Sequence, residues 1–196
     1  MSDRQDLRKA MRARRAALSP EERAAASAAV AKHLLRLPAF QRADRVGAYL
    51  AVNGEIDLAP VIEACWERGK TVALPVLHGQ HLEFLEYTPD TPMLTNRFGI
   101  PEPDPAAARA LPSRFLNIVL APLVAFDTAG GRLGMGGGFY DRSFAFLQRR
   151  QYWMRPAFIG MAYEFQRVDA LPTEPWDVPL HGVVTDAQWH PVKHQD

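Results

Sequence analysis

The stretch LAPLVAFDTAGGRLGMGGGFYDR, at Leu120–Arg142, carries the pattern that decides the fold. It overlaps the apolar run NIVLA at Asn117–Ala121, which is typical of a central strand covered on both faces. Five glycines then fall within the eight residues Gly131–Gly138. An amphipathic helix is predicted directly afterwards, from about Phe139 to Arg149. The order of strand, glycine-rich loop and helix indicates an α/β fold.

The alternation of helices and strands extends in both directions from this stretch. A basic helix is predicted over 3–17, and an Ala-rich helix begins at the capping signal Ser19–Glu22, runs to about Leu37 and stops at Pro38. Another helix begins at Asp57, ends at Glu67 and is closed by Gly69. Further strands are predicted over 45–51, 71–77, 82–87, 157–162 and 182–185.

These elements predict the architecture of the chain. We expect an α/β layered open sheet that is largely parallel, with helices on both faces, in a Rossmann-like arrangement. A single domain is expected over 1–196, with the basic helix 3–17 packed onto the α/β core.

Length and composition exclude several classes of protein. The chain has 196 residues, 23% of them charged, and a formal net charge of +1. Its single cysteine, Cys65, excludes an intrachain disulfide framework and a multi-cysteine zinc site. No apolar run reaches membrane-spanning length, and the charged N-terminus lacks the apolar stretch of a secretory signal. We therefore expect a cytoplasmic protein with no membrane partner and no nucleic-acid partner. A monomer is also expected, although composition does not fix the oligomeric state.

The glycine-rich loop predicts an anion site. Glycines tolerate positive φ and let backbone N–H groups approach a ligand, and the start of the next helix adds partial positive charge. Arg132 and Arg142 flank the loop and suit phosphate oxygens, while Asp141 is placed to hold Mg²⁺ beside a phosphate. The loop lacks both common nucleotide-binding fingerprints. The alternative is a flexible connection in which Asp141 only complements the helix dipole.

Three further features each leave two interpretations open. Glu55 follows the first strand, so it is expected at the same sheet edge as the loop, as either a ligand-binding group or a solvated turn acid. Asp177 is either a second carboxylate for a cation or a turn former. The basic residues of the first helix either bind a polyphosphate or form a solvated face: Arg4, Arg8, Lys9, Arg12 and Arg15.

Motifs along nearly the whole chain then resemble one family. The most specific is RLGMGGGFYDR at Arg132–Arg142. It is accompanied, in order, by RQDLR at 4–8, LSPEER at 18–23, NGEID at 53–57, NRFGIPEP at 96–103, APLVAFD at 121–127 and LPTEPWDVPL at 171–180. Together they resemble the bacterial branch of the 5-formyltetrahydrofolate cyclo-ligases, also called 5,10-methenyltetrahydrofolate synthetases. The resemblance implies ATP- and Mg²⁺-dependent conversion of 5-formyltetrahydrofolate to 5,10-methenyltetrahydrofolate, ADP and phosphate, through an iminophosphate.

The resemblance also implies the site residues, position by position. The metal ligands of eukaryotic members fall on Asp141 and Asp177. The folate contacts fall on Leu50, Glu55, Met135, Gly136, Gly137, Gly138 and Phe139. The ATP contacts, with ATP as co-substrate, fall on Arg4, Gln5, Asp6, Leu7, Arg8, Arg132, Leu133, Gly134, Met135, Gly136, Gly137, Gly138, Phe139 and Tyr140.

The same resemblance implies roles in catalysis. Arg132, Arg8 and the backbone at 134–138 stabilise the transferring phosphoryl group. Glu55 orients the folate near its N5–N10 region, and Tyr140 packs on the substrate or hydrogen-bonds it.

Four positions depart from the family pattern. Arg4 stands where Lys is usual, which changes a point charge into a planar fork. Phe139 stands where many members have Tyr. Met135 and Gly137 stand where eukaryotic members carry basic residues.

Two other functions compete with this interpretation. A sugar-phosphate isomerase, or a phosphate-binding α/β domain without ATP hydrolysis, would use the same glycine-rich loop. The distant basic motif RQDLR argues against it, since a lone sugar phosphate needs no second clamp. A nucleic-acid-binding module would use the basic first helix, but the overall charge of +1 argues against that.

Overall fold

A seven-stranded mixed sheet forms the centre of the computed structural model, which describes residues 3–148 and 156–192. In chain order the strands are β1 (Arg45–Gly47), β2 (Thr71–His78), β3 (His81–Glu86), β4 (Met93–Thr95), β5 (Pro101–Pro103), β6 (Ile118–Pro122), β7 (Ala125–Phe126), β8 (Arg132–Leu133), β9 (Ala157–Ala162), β10 (Gly182–Thr185) and β11 (Trp189–Pro191). The helices are α1 (Asp3–Ala16), α2 (Pro20–Leu34), α3 (Pro38–Gln41), α4 (Ala59–Glu67) and α5 (Phe139–Phe144), and short 3₁₀ turns lie at Ser113–Phe115, Ala145–Leu147 and Glu164–Gln166.

The large sheet has the order β11-β10-β9-β6-β1-β2-β3. The five inner strands are parallel to one another, whereas β3 and β11 pair antiparallel at the two edges. Two small antiparallel ladders, β4 with β5 and β7 with β8, lie outside it. The largely parallel α/β sheet predicted from the sequence is therefore confirmed.

Alternate residues of the inner strands enter two separate hydrophobic cores. On one face, Ile118, Leu120 and Ile159 pack with buried residues of α2 and α4. On the other face, Val119 and Phe158 pack with residues that include Phe144 of α5. The sequence of a parallel strand that is covered on both faces is a nearly continuous apolar run, and NIVLA is such a run.

The local signals predicted the bounds of α2 and α4 to within a few residues. The capping box of Ser19 and Glu22 starts α2 as predicted, but α2 ends at Leu34 rather than near Leu37. Asp57 is not the N-cap of α4, which is Leu58, although its Oδ1 accepts the Ala59 N–H at 2.9 Å. Gly69 closes that segment with φ +66°, as expected of a left-handed residue after a helix.

Other segments are shorter than predicted. The strand predicted over 45–51 is regular only over Arg45–Gly47, and the chain then turns away toward the sheet edge. The helix predicted from Phe139 to Arg149 is a six-residue α-helix followed by a 3₁₀ turn, and Arg149 lies outside the described residues. A short helix carries a smaller dipole contribution than the predicted one.

Helix α1 lies against the β7–β8 ladder. Leu7 and Met11 pack on a small cluster formed by Ala125, Leu133 and Leu171. This packing holds α1 at the carboxyl edge of the sheet. It thereby also fixes the positions of the side chains on the other faces of the helix. In the described part of the chain, no helix is long and apolar enough to cross a bilayer.

Candidate active site

A deep cleft of about 1380 Å³ opens at the carboxyl edge of the parallel strands. Its walls come from the segments that follow β1 and β6, from the far half of β2, from α1 and from the glycine-rich segment before α5. Ligands of open α/β sheets bind at this edge, because the loops after neighbouring strands diverge there. The cleft is therefore the site that the topology itself provides.

The glycine-rich segment forms one wall of the cleft. Gly136 has φ +104° and Gly138 has φ +63°, a region of backbone conformation that L side chains rarely adopt. A Cβ on Gly138 would also lie 2.7 Å from an Arg142 guanidinium nitrogen. Arg142 donates to the Gly137 carbonyl oxygen at 2.6 Å, which closes the segment over the start of α5. The segment therefore presents bare backbone to the cleft.

Arg132 lies at the base of this wall. Its Nη2 donates to Asp141 Oδ1 at 2.5 Å, and its guanidinium carbon lies 5.6 Å from the centroid of the Tyr140 ring and 5.3 Å from that of Phe158. Asp141 Oδ1 also accepts the Val178 N–H at 3.2 Å. The Arg132 Nε is buried and has no hydrogen-bond partner among the described residues. A fixed, buried cation thus borders the cleft.

The ring of Tyr140 packs into the core beneath the cleft and does not extend across the cleft. Its ring stacks on Phe144 and Phe158, with centroid distances of 6.2 and 6.0 Å. Burial, and next the charge of Glu55, raise the pKa of its hydroxyl far above the usual range, against an opposing effect of Arg132. Tyr140 therefore stays a neutral phenol that can donate a hydrogen bond.

Arg4 and Arg8 of α1 face the glycine-rich wall. Arg4 Nη2 donates to Asp177 Oδ2 at 3.1 Å, and Arg8 Nε donates to the Gly134 carbonyl oxygen at 2.9 Å. Burial, and then the neighbouring Arg4, lower the pKa of Arg8, while Asp177 opposes that shift. Two cations one helical turn apart thus line the same cleft as the glycines.

The two predicted metal ligands both line this cleft. Asp141 and Asp177 are each held by an arginine, Arg132 and Arg4 respectively. Among the described residues, no group of three or more His, Cys, Asp or Glu side chains forms a metal cage. Two carboxylates that line one cleft are chemically compatible with Mg²⁺, which takes one or two carboxylates and completes its shell with water and phosphate oxygens.

Glu55 lies on the opposite wall and is only 9% exposed. Its Oε2 accepts the Val52 N–H at 3.2 Å, and its Oε1 lies 3.8 Å from Nη1 of Arg15. Burial raises the pKa of Glu55 above its ordinary value, although the Val52 N–H and Arg15 lower it in part. The interpretation of Glu55 as a solvated turn acid is therefore wrong.

Arg15 is the residue that the sequence analysis misplaced. It is 1% exposed and does not line the cleft, so for this residue both the solvated face and the polyphosphate contact are wrong. Its Nε donates to the Asn53 carbonyl oxygen at 2.9 Å, and its Nη1 lies 3.5 Å from the Leu123 carbonyl oxygen. Its spacing was the available signal, because it lies four residues after Met11, on the apolar face of α1. Arg15 therefore belongs to the buried wall around Glu55.

The structure does not bring every implied contact into the cleft. Leu50 and the residues 134–140 line it, as predicted. Leu7 and Leu133 instead pack in the small core beside α1, and Gln5 and Asp6 line a separate groove. These four positions support or border the site rather than face the main cleft.

Aromatic side chains complete the mouth of the cleft, and only their motif drew attention to them. Phe98 is 58% exposed and meets the Phe139 ring edge-on at 6.2 Å, and Trp176 is 65% exposed. Asn96 Nδ2 donates to Glu102 Oε2 at 2.9 Å beside them. Exposed aromatic rings around a cleft are suited to a flat heterocyclic ligand.

Comparison with known proteins identifies the family of the chain. The 5-formyltetrahydrofolate cyclo-ligase family model matches residues 1–186. A 5-formyltetrahydrofolate cyclo-ligase of Haemophilus influenzae is 44% identical over 92% of this chain and 96% of that protein, and one of Escherichia coli is 41% identical over 91% and 97%. The solved 5,10-methenyltetrahydrofolate synthetase of Aquifex aeolicus superposes with a TM-score of 0.82 at 31% identity, covering 98% of this chain and 94% of that one. The motifs, the fold and these relatives agree, and the chain belongs to the 5-formyltetrahydrofolate cyclo-ligase family.

Proposed function

We propose that the chain catalyses the ATP- and Mg²⁺-dependent cyclisation of 5-formyltetrahydrofolate to 5,10-methenyltetrahydrofolate, with release of ADP and phosphate. One observation carries the proposal. A single cleft is lined by a bare glycine backbone, by four arginines (Arg4, Arg8, Arg132 and Arg142) and by a buried carboxyl group, that of Glu55. Such a cleft can hold a polyphosphate and a heterocycle against each other.

The reaction needs help because the formyl group is a poor electrophile. In the proposed sequence, the formyl oxygen attacks the γ-phosphorus of ATP, ADP leaves, and an iminophosphate forms. The folate N10 then attacks the activated carbon, the five-membered ring closes, N10 loses its proton, and phosphate departs. Little covalent chemistry falls to the protein, so its work is to position the reactants and to stabilise charge.

The residues of the glycine-rich wall would act on the phosphoryl group. Arg132 is already fixed by Asp141 and by its two aromatic neighbours, so it offers a cation without reorganisation. Arg8 and the backbone N–H groups near Gly136 would hold the remaining phosphate oxygens. Arg4 would contact the same polyphosphate one helical turn away.

The opposite wall would act on the folate. The Glu55 carboxylate would accept hydrogen bonds from N–H groups of the heterocycle, and its buried position makes such bonds stronger than they would be in water. Tyr140, a neutral phenol, would donate to the substrate or pack on it. The rings of Phe98 and Phe139 would cover the heterocycle from solvent.

Mg²⁺ would be held by Asp141, with Asp177 as the second carboxylate. When bound, it would neutralise charge on the phosphate oxygens. The Asp141→Asn variant tests this assignment: we expect at least about a tenfold rise in the Mg²⁺ concentration at half-maximal rate, in line with the cost of altering a metal site. An unchanged Mg²⁺ dependence and an unchanged turnover would remove Asp141 from the metal site.

The decisive assay follows the near-ultraviolet absorbance of the methenyl product. We expect this band to grow only when 5-formyltetrahydrofolate, ATP and Mg²⁺ are all present. ATP binding without the band would point to another acceptor for the phosphoryl group. The absence of both would favour the sugar-phosphate function instead.

The proposal includes the setting in which the enzyme works. We propose a cytoplasmic monomer whose partners are small molecules, with neither nucleic acid nor membrane. Sedimentation at several protein concentrations tests the monomer, and a dimer that persists on dilution would contradict it.

A further inference from the structure

The turn that carries Glu55 has a left-handed backbone. Val52 and Glu55 close it, since the Glu55 N–H donates to the Val52 carbonyl oxygen at 3.1 Å and the Val52 N–H donates to Glu55 Oε2 at 3.2 Å. The two residues between them, Asn53 and Gly54, have φ of +52° and +73°. Two positive φ values in succession are typical of a type I′ turn, which the sequence Asn-Gly favours.

Asn53 carries the cost of this conformation. Among the residues that the structure describes, it alone has a positive φ without being a glycine. A residue with a side chain stays in such a conformation only when its surroundings hold it there, and residues of this kind are concentrated at functional sites. The groups that hold the turn are therefore of interest for the function of Glu55.

Two distant side chains hold this turn by its carbonyl oxygens. Arg15 of α1 donates from Nε to the Asn53 carbonyl oxygen at 2.9 Å. Tyr163, the residue that follows β9, donates its hydroxyl to the Gly54 carbonyl oxygen at 3.0 Å. The donors lie 38 and 109 residues from their acceptors, so the turn is tied to two separate parts of the fold. Relaxation of the turn would break one of these bonds.

The ring of Tyr163 is fixed without help from its hydroxyl. The residue is 2% exposed, and its ring stacks on Phe165 with a centroid distance of 5.2 Å and an interplanar angle of 16°. Burial raises the pKa of the Tyr163 hydroxyl, so the group stays a neutral phenol and keeps its proton for the Gly54 carbonyl oxygen. Replacement by phenylalanine therefore removes one hydrogen bond and leaves the ring in place.

The segment that carries Tyr163 is itself fastened to the core. The Tyr163 N–H donates to Gln166 Oε1 at 2.9 Å. Gln166 Nε2 donates in turn to the carbonyl oxygens of Leu123 and Val124, at 3.0 and 2.8 Å, in the segment after β6. A group held in this way has a fixed position relative to the sheet, which is what precise placement of a functional side chain requires.

We propose that Tyr163 is a positioning residue for the folate substrate. Its hydroxyl acts with Arg15 to hold the Asn53–Gly54 turn, and the turn keeps the Glu55 carboxylate at the place in the cleft where the heterocycle binds. The inference rests on the proposed function, because it takes Glu55 to contact the folate. Tyr163 does not line the cleft, so it acts only through the turn.

The first test is the Tyr163→Phe variant. We expect the dissociation constant of 5-formyltetrahydrofolate, measured by titration calorimetry, to rise about two- to tenfold, which corresponds to the net value of one hydrogen bond. In steady-state kinetics the KM for the folate should rise by a similar factor, with a smaller change in kcat. The KM for ATP should stay at the wild-type value, because the bond from Tyr163 holds the wall opposite the glycines.

Gly54→Ala strains the same turn from within. Its φ of +73° is one that side chains rarely adopt, and a Cβ there would lie 3.4 Å from the Arg15 carbonyl oxygen. We expect the same pattern as in Tyr163→Phe: weaker folate binding and an unchanged KM for ATP. Weaker binding in Gly54→Ala beside wild-type binding in Tyr163→Phe would show that the turn matters and its bond to Tyr163 does not, which would overturn the proposal.

A double variant tests whether Tyr163 acts through Glu55. Glu55→Ala removes the side chain that the turn is proposed to place. Adding Tyr163→Phe to Glu55→Ala should therefore cause no further loss of folate affinity. A further loss equal to that seen in the wild-type background would mean that Tyr163 acts by another route, and it would overturn the proposal.

Trp66→Phe is the matched control for stability. Trp66 Nε1 donates to the Tyr87 carbonyl oxygen at 3.0 Å, so the variant also removes one hydrogen bond from an aromatic side chain to the backbone. Trp66 does not line the cleft. Urea unfolding should show a loss of stability at least as large as in Tyr163→Phe, while the folate dissociation constant stays at the wild-type value. Equal losses of folate affinity in the two variants would reduce the effect to general destabilisation and overturn the proposal.

Two outcomes separate this proposal from the proposed function. An unchanged folate dissociation constant in Tyr163→Phe, with turnover intact, would overturn the positioning role and leave the activity in place. A wild-type protein that does not bind 5-formyltetrahydrofolate would overturn the proposed function, and the positioning role with it.

Discussion

The two walls of the cleft each contain a buried arginine beside a carboxylate, yet the two pairs differ in geometry. On the glycine-rich wall, Arg132 and Asp141 are joined by a 2.5 Å hydrogen bond, and Asp141 also accepts the Val178 N–H. On the opposite wall, Arg15 and Glu55 are 3.8 Å apart, which is beyond hydrogen-bond distance. Arg15 instead donates hydrogen bonds to the carbonyl oxygens of Asn53, at 2.9 Å, and Leu123, at 3.5 Å.

The difference indicates two uses of the same residue types. The direct hydrogen bond to Asp141 fixes the direction of the Arg132 guanidinium, as a cradle for a transferring group requires. Glu55 is buried and only loosely paired, so one of its carboxylate oxygens can still accept a hydrogen bond from a ligand. The same burial raises the pKa of Glu55. The side chains of the glycine-rich wall are therefore fixed in position before the substrate binds. Glu55, in contrast, gains a further hydrogen-bond partner only when the substrate binds.

The largest expected effect comes from breaking the loose pair. Arg15→Met should lower the free energy of unfolding by about 3–5 kcal/mol at neutral pH, since Glu55 would be left buried without a cation. Urea unfolding of the variant beside Arg14→Met, which removes an arginine from the surface of the same helix, measures it. A loss no larger than that of Arg14→Met would show that Arg15 does not stabilise the buried carboxylate.

The tight pair predicts a loss of rate instead. Arg132→Met should lower kcat by about 10²–10³-fold, the usual cost of removing one preorganised group from a transition state. Arg132→Lys keeps the charge but lacks the planar guanidinium, so its kcat should lie between that of the wild type and that of Arg132→Met. Steady-state kinetics on folded protein, checked by circular dichroism, gives both values. Wild-type turnover in Arg132→Met would place the phosphoryl group elsewhere.

The smallest expected effect is on the pH dependence of kcat/KM for the folate. It tests whether Glu55 is the loosely paired carboxyl group that the comparison of the two walls indicates. Because burial raises the pKa of Glu55, its ionised form is present above that pKa and is lost as the pH falls through it. We therefore expect kcat/KM for the folate to decline on the acid side from a pH above the ordinary value of 4.5. Glu55→Gln should lower kcat/KM and abolish this limb.

The same profile tests the influence of Arg15. Since Arg15 lowers the pKa of Glu55, its replacement should move the acid limb to higher pH. A limb that stays in place in Arg15→Met, or one that persists in Glu55→Gln, would assign the titration to another group. The Glu55→Asp variant, which keeps the charge on a shorter side chain, should retain a limb.

The sequence predicted features that are determined locally. The capping box that starts α2 and the apolar run of β6 depend on neighbours in the chain, and both were found where they were expected. The glycines at 136 and 138 also have the positive φ that their abundance indicated.

Features that depend on distant residues were harder to predict. The end of α2 depends on packing and not only on Pro38, and the burial of Glu55 depends on α1 crossing the sheet edge. Arg15 illustrates the reason, because arginine is rarely buried and its charge favoured the solvated interpretation. Its burial follows from partners 38 and 108 residues away, which no local pattern reveals.

The contact between Arg4 and Asp177 joins positions 173 residues apart. At the usual pace of synthesis, 5–20 residues per second, roughly 9–35 s separate the appearance of one residue from that of the other. Helices α1 and α2 are synthesised long before the glycine-rich wall of the cleft, which α1 later completes. A nascent chain can therefore pair β1 with β2 and β6, but it has no finished nucleotide site to occupy. Ligand binding can stabilise this protein only after nearly all of the described chain has been made.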